Sequence, residues 1–285
     1  MVQSTILNHI LNFDIDTLLN PYLPPSILPH LPIPLSYPLG HRRTPPPQLP
    51  PTIQTLLSLL ATFLGLLTVT SISNFSPQLS HIANPVLIPS LGAGAVLNYV
   101  TPNLPAAQPR PTIFGQIISA AVGVGVSKLF THADDGPGEN FANLVWLAAP
   151  TAVAAAVLAM RLTNTVHPPG GATAALAVAT SSTRTLGWWL VALVAIGTST
   201  MVAVGLVVNN VGRKWPEFWW SSGEMGSKLL GGKKKEEEEG EKGGDEEKGV
   251  DGGSESGSEL GKARSNEGSE VGFTDGVCRC CGRGG

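Results

Sequence analysis

The chain has 285 residues, of which 42% are hydrophobic and only 14% are charged, and its formal net charge is −3. Soluble domains carry about 25% charged residues, whereas 25 of the 39 charged residues here lie in 222–285. The first 221 residues are therefore too poor in charge for a water-soluble globule, and no basic stripe points to nucleic acid as a partner.

Residues 1–50 form a proline-rich segment, with the run "PYLPPSILPHLPIPLSYPLGHRRTPPPQLPP" starting at Pro21. Because proline lacks an N–H and is excluded from helix interiors, we expect an extended or turn-rich leader. Residues 1–12 have no basic region ahead of an apolar run, so a secretory signal peptide is not predicted.

Four apolar stretches are long enough to cross a hydrocarbon core of about 30 Å at about 1.5 Å per residue. Small residues within them favour close helix approach, and Trp188 and Trp189 suit the headgroup level. The stretches are 52–72, 112–130, 142–160 and 187–208, and the small residues are Gly115, Gly123, Gly125, Ala148, Ala149, Ala152 and Ala156.

Two further apolar pieces, 84–100 and 167–180, are too short to be ordinary spans. Each has proline near its start and continues as a small-residue helix of about ten residues, or about 15 Å. "PSLGAGAVL" (89–97) also matches "PPGGATAAL" (168–176) at five positions. The sequence predicts an all-α polytopic membrane protein with four full transmembrane helices and two short broken elements, and the match favours an inverted repeat of three-crossing units.

The positive charges favour one arrangement of the two short pieces. If both cross the membrane and the N-terminus is cytoplasmic, six basic residues face the cytoplasm and two face out. If both are re-entrant, the ratio is five to three. The positive-inside rule favours the first version, with both termini cytoplasmic and the acidic loop around Asp134 and Asp135 outside.

From about residue 222 the chain becomes strongly charged and glycine-rich, so we expect a disordered cytoplasmic tail. Three cysteines close to the end, Cys278, Cys280 and Cys281, form a loose thiol cluster or a metal or lipidation site. The predicted organisation is a proline-rich segment (1–50), a transmembrane domain (51–211) and a juxtamembrane segment with the charged tail (212–285).

"NTVHPPGGATAAL" (164–176), together with "PSLGAGAVLNYVTPNLPAAQPR" (89–110) and "KWPEFWW" (214–220), resembles the HPP family of integral membrane proteins. The His-Pro-Pro of the family name corresponds to His167, Pro168 and Pro169, and many relatives have alanine where Gly170 stands. The resemblance covers roughly residues 50–220. It implies a transmembrane domain, and it implies small-anion transport because plant plastid members are implicated in nitrite transport.

The residues themselves suggest how an anion would bind. Proline is favoured at the first position of a helix, so a helix is expected to open at "PP" with a positive end of about half a charge. Glycines there would let a small ion approach the backbone N–H groups, and His167 would be a neutral ring at the mouth. Thr165 adds a hydroxyl. The candidate substrate-binding residues are His167, Pro168, Pro169, Gly170, Gly171, Thr173, Pro89, Ser90 and Gly92.

Other interpretations stay open. The glycines also suit tight helix packing, and His167 would then cap a purely structural turn. The function predicted is a transporter or channel for a small solute, with a monovalent anion such as nitrite as substrate. The alternative is a non-transporting scaffold whose tail recruits partners. We expect no enzymatic activity, cofactor or metal, because the chain has no nucleophile, metal-ligand or phosphate-binding motif. The lipid bilayer is the expected partner, and a homo-oligomer is compatible with the sequence.

Overall fold

The computed structural model describes residues 13–44, 46–47, 49–76, 88–132, 139–223 and 225–229, with backbone only for 139–142. Described residues of the N-terminal segment form short helices between prolines, as a turn-rich leader requires. They are α1 (Ile15–Leu19), α2 (Ile33–Ser36) and two 3-10 turns, Asn20–Tyr22 and Leu28–His30. The acidic loop at 133–138, the charged tail from 230 and its cysteines lie outside the described residues.

The predicted spans are confirmed as four helices that are long and apolar enough to cross a membrane. They are α3 (Pro51–Phe75), α5 (Gln116–His132, extended at its start by a π turn at Pro111–Gly115), α6 (Glu139–Leu162) and α9 (Trp189–Val208). The two short pieces are α4 (Pro89–Val100) and α7 (Pro168–Ala179), and a short α8 (Ser181–Leu186) leads into α9. The described part of the chain is all-helical, and it is the predicted multi-pass integral membrane fold.

The short helices α4 and α7 have 12 residues each. Both begin with proline at the first helical position, which fixes the backbone in a helical conformation at no cost in hydrogen bonds. At about 1.5 Å per residue each helix is about 18 Å long, which is little more than half of a hydrocarbon core. A helix of this length is too short to span the hydrocarbon core by itself.

Contacts among helix ends show the direction in which each helix runs. The carbonyl oxygen of Tyr99, at the end of α4, accepts a hydrogen bond from Ser58 near the start of α3. Near the start of α4, Leu91 lies against Gly197 in the first half of α9. The start of α7 contacts the 101–110 loop through His167. We call the side on which residues 13–50, 101–110, 162–167 and 209–229 lie the terminal side.

Among the described residues, six helices therefore run between the terminal side and the opposite side, four of membrane length and the two short ones. Helices α3, α5 and α7 start at the terminal side, whereas α4, α6 and α9 end there. Equivalent helices of the two halves run in opposite directions, as an inverted repeat requires. The basic residues lie on the sides expected if both short pieces cross the membrane. Lys128 and Arg184 lie on the opposite side. The other six lie on the terminal side: Arg42, Arg43, Arg110, Arg161, Arg213 and Lys214.

Small residues hold α7 against α5 and α6. A Cβ on Gly123 of α5 would lie 2.8 Å from the Ala174 carbonyl oxygen and from Ala177 Cβ in α7. Ala148, Ala152 and Ala156 of α6 are fully buried, and Ala149 packs beside them. These contacts confirm the predicted small faces, whereas a Cβ on Gly125 would meet no atom within 4 Å. Close approach without large side chains is how membrane helices gain packing energy.

The C-terminal segment packs on the proline-rich segment as far as Leu229. Lys228 donates to the Tyr22 hydroxyl at 2.7 Å, and the N–H of Gly226 donates to the Asn20 carbonyl oxygen at 2.9 Å. Trp215 is fully buried and its indole N–H donates to the Ala107 carbonyl oxygen. The described residues from Arg213 to Lys228 are therefore part of the folded body, although they lie after the last span.

Candidate functional site

The His-Pro-Pro motif lies where the 162–167 loop turns into α7. His167 is the N-cap residue of α7 and has an extended backbone, with φ −137° and ψ 103°. Its ring is fully buried, Pro169 is buried, and Pro168 is exposed. The motif thus places one imidazole inside the bundle at the start of a short helix, as the sequence predicts.

One contact fixes the orientation of the His167 ring. Its Nδ1 lies 2.8 Å from the carbonyl oxygen of Ala106, in the 3-10 turn Pro105–Ala107. A carbonyl oxygen only accepts, so Nδ1 carries the hydrogen. The other ring nitrogen, Nε2, is buried and has no hydrogen-bond partner among the described residues.

Buried polar side chains join the two short helices at this point. Thr173 Oγ1 of α7 lies 2.7 Å from Ser90 Oγ of α4, and it donates to the amide oxygen of Gln116 at the start of α5. Thr112 donates to the amide oxygen of Asn98 in α4 at 3.1 Å. We call His167, Thr173, Ser90, Gln116, Asn98 and Thr112 the polar cluster; each member is at most 1% exposed.

Three nitrogens of the polar cluster are left over. They are His167 Nε2, Gln116 Nε2 and Asn98 Nδ2, which are buried and without a partner in the described part of the chain, and we call them the free nitrogens. Two of them face Gly94 of α4: a Cβ built there would lie 3.8 Å from His167 Nε2 and 3.9 Å from Gln116 Nε2. A buried polar group without a hydrogen-bond partner costs about 1–3 kcal/mol of folding free energy. Three such nitrogens in one cluster therefore mark a place where a bound ligand would supply the missing hydrogen bonds.

The glycines at the helix starts have different surroundings. A Cβ on Gly170 would lie 2.6 Å from Ser119 Oγ, so Gly170 is a packing glycine. The nearest atom to a Cβ on Gly171 is 3.8 Å away, and Gly92 has nothing within 4 Å. Pro89, like Pro168, is exposed. Of the predicted site residues, the structure therefore brings His167, Thr173 and Ser90 together and leaves the two glycines and the two prolines at the edge.

The expected row of free backbone donors at the start of α7 needs correction. Pro168 and Pro169 have no N–H, and the N–H of Gly170 donates to the His167 carbonyl oxygen at 2.8 Å. The first donors of the helix are thus missing or already used. Thr165 is buried but hydrogen-bonds to Thr163 at 2.8 Å, outside the polar cluster. Side-chain nitrogens, rather than backbone N–H groups, are the donors available at this site.

A cavity of about 460 Å³ lies on the terminal side, next to the turn that binds His167. Its walls include Ala106, which binds the His167 ring, and Val166, which precedes it. Arg161 and Trp220 line its other side. No member of the polar cluster lines this cavity, but the Ala106 carbonyl oxygen links its wall to the His167 ring.

Sequence reasoning missed Gln116, Asn98 and Arg110. Gln116 and Asn98 are single amides in otherwise apolar helices, and an amide in such a position needs a partner inside the protein. That pattern is readable in "TIFGQIISAA" and "GAVLNYV". Arg110 is 4% exposed and its charge is balanced by Asp16, 94 residues away, a pairing that no local pattern indicates.

Comparison with known proteins agrees with this architecture. The family model described as "HPP, transmembrane region" matches residues 47–216. Two proteins of Dictyostelium discoideum, both named transmembrane proteins, are 38% identical over 139 residues and 34% identical over 187 residues. The matches cover 47% and 64% of this chain, and 42% and 61% of the relatives, so the chain spans about half the length of these relatives. No solved structure matches the chain.

Proposed function

The chain belongs to the HPP family of transmembrane proteins, and we propose that it is a transporter or channel for a small monovalent anion such as nitrite. The proposal gives it no catalytic role. The observation that carries it is the group of three free nitrogens inside a bundle of membrane-length helices. Intramembrane polar groups that are buried and incompletely paired are the usual sign of a solute pathway.

The chemistry of the polar cluster favours an anion over a cation. The chain has no Asp or Glu from residue 45 to 133 or from 142 to 213, the stretches that supply the whole cluster. The amide nitrogens of Gln116 and Asn98 are donors without acceptors in the described structure. Cation pathways are built from carboxylates and carbonyl oxygens, whereas donor groups select anions.

The His167 ring would supply a proton together with the anion. Because Nδ1–H is fixed on the Ala106 carbonyl oxygen, the neutral ring presents the lone pair of Nε2 to the cluster. An anion at that place needs a donor, so it would bind with a proton on Nε2. The imidazolium would keep its bond to Ala106 and donate to the anion, so that the bound pair has no net charge in the apolar bundle. When the anion leaves, the Nε2 proton would leave with it and the neutral ring would be restored.

The test is nitrite flux into liposomes that contain the purified protein. His167→Ala should reduce flux strongly, and an inward proton gradient should accelerate the flux of the parent but not of the variant. Leu162→Ala is the control, because Leu162 ends the helix five residues before His167, is 47% exposed and lies outside both the polar cluster and the cavity wall. Elution as a single species in detergent checks folding. If the parent shows no anion flux, or His167→Ala transports like the parent, the scaffold interpretation is favoured instead.

A further inference from the structure

Arg110 is buried beside residues that line the cavity, Asp16 and Trp220, and is held by several groups. Its NH1 donates to Asp16 Oδ1 at 2.7 Å and to the Trp220 carbonyl oxygen at 3.1 Å. Its NH2 donates to the Thr163 carbonyl oxygen at 2.7 Å, and the guanidinium stacks on the Trp220 ring at 4.2 Å. The side chain is only 3% exposed. A buried arginine with one carboxylate ligand is a built anion-binding group.

The second oxygen of the same carboxylate is also recognised. Asp16 Oδ2 accepts from the side-chain amide of Asn164 at 3.1 Å. Asn164 has φ 53°, a left-handed conformation that asparagine tolerates better than most residues. Arg110 and Asn164 therefore each hold one oxygen of a planar group in which two oxygens share one negative charge.

Asp16 and Asn164 line two cavities. The cavity of about 460 Å³ that has Ala106 in its wall and a second one of about 430 Å³ both include these two residues. Asp16 lies on α1, which has only five residues. Asp14, just before this helix, accepts a second hydrogen bond from the Asn164 amide at 2.8 Å and so anchors the helix beside Asn164. Movement of this short helix would join the cavities and expose Arg110.

We propose that Arg110 and Asn164 form an entrance site for small planar oxyanions, and that the Asp16 carboxylate occupies it as an internal substitute. Nitrite and formate have the same arrangement of two oxygens around one central atom as a carboxylate. An incoming anion of this class displaces Asp16, binds the two donors and reaches the cavity next to the turn that binds His167. This inference rests on the proposed anion transport, because it describes the first binding step of that pathway.

The experiment measures anion binding and not flux. Purified full-length protein in detergent is titrated with sodium nitrite, formate or chloride at constant ionic strength, and the shift in melting temperature is recorded. Removing the competing charge with Asp16→Asn should tighten nitrite and formate binding about tenfold or more. Glu217→Gln is the control, since it removes one negative charge from the terminal side at a side chain paired with Lys214 and not with Arg110 or Asn164, and it should bind like the parent. Asp16→Ser serves as a second variant if the asparagine variant does not fold.

Two further variants test the role of each donor. Arg110→Gln in the Asp16→Asn background should abolish the gain for all anions. Asn164→Gly in the same background keeps a residue that accepts a positive φ and should reduce the preference for nitrite and formate over chloride. The inference is overturned if Asp16→Asn binds no tighter than Glu217→Gln, or if the gain survives Arg110→Gln. Because binding is read without transport, a failure here is distinguishable from absence of flux.

Discussion

The substitution Gly94→Ala tests the proposed anion site without disturbing the fold, whereas substituting His167 also removes a buried ring and its hydrogen bond to Ala106. The added methyl group would lie 3.7 Å from Met201 Cε, 3.8 Å from His167 Nε2 and 3.9 Å from Gln116 Nε2. All three are ordinary van der Waals distances, so no atom has to move. The methyl would nevertheless lie next to two of the three free nitrogens, where we propose that the anion binds.

The expected effects on stability and on transport have opposite signs. Alanine is favoured over glycine within a helix by about 0.5–1 kcal/mol, so the free energy of unfolding should stay level or rise. A hydrogen bond to a charged group is worth about 1.5–3 kcal/mol. Losing one such bond to the anion would weaken binding about 10- to 150-fold, and losing both would remove measurable flux.

Gly92→Ala is the matched control for this experiment. Gly92 belongs to the same helix, and a Cβ there would have no neighbour within 4 Å. The control should show the same gain in helix stability and unchanged transport. Nitrite flux in liposomes and melting temperature in detergent are measured for both variants. If Gly94→Ala transports like Gly92→Ala, the free nitrogens do not bind the solute and the reasoning is wrong.

Three other predictions address the architecture. Cysteines at the exposed positions Asn103 and Ser182, probed with an impermeant thiol reagent in a background without the native cysteines, should label from opposite sides of the membrane. Labelling from one side would contradict the six-pass arrangement. Gly170→Ala should lower stability by about 1–3 kcal/mol, because its Cβ would lie 2.6 Å from Ser119 Oγ; an unchanged melting temperature would refute that packing role. Deleting residues 230–285, which are too charged and glycine-rich to bury apolar surface, should leave melting temperature and flux unchanged, and a clear loss of either would show that the tail contributes to the fold.

The helices were predictable from sequence because a membrane imposes a simple requirement. A span needs about twenty apolar residues with no charge, and residues 44–109 contain no Lys, Arg, Asp or Glu at all. Proline at the start of each short piece likewise marks where α4 and α7 begin. These features are local, so a single sequence suffices to find them.

The site was only partly predictable, because its geometry depends on how separate helices align. His167 was identifiable from its motif, but its acceptor Ala106 and its neighbour Gln116 lie 61 and 51 residues away in the chain. The expectation of free backbone donors followed from helix electrostatics alone. It was wrong at Gly170, because that N–H closes a tight turn onto His167.

The 101–110 loop connects the two proposed anion sites physically. Its Ala106 carbonyl oxygen holds the His167 ring, and its Arg110 holds the Asp16 carboxylate. The C-terminal segment fixes the same loop from outside, because the N–H of Glu217 donates to the Gln108 side-chain oxygen at 2.8 Å. An anion that replaces Asp16 would take over its bond to Arg110, so the loop that fixes the hydrogen on Nδ1 of His167 would stay in place while the anion is bound. The same short segment would therefore serve both proposed steps, binding at the entrance and orientation of the His167 ring.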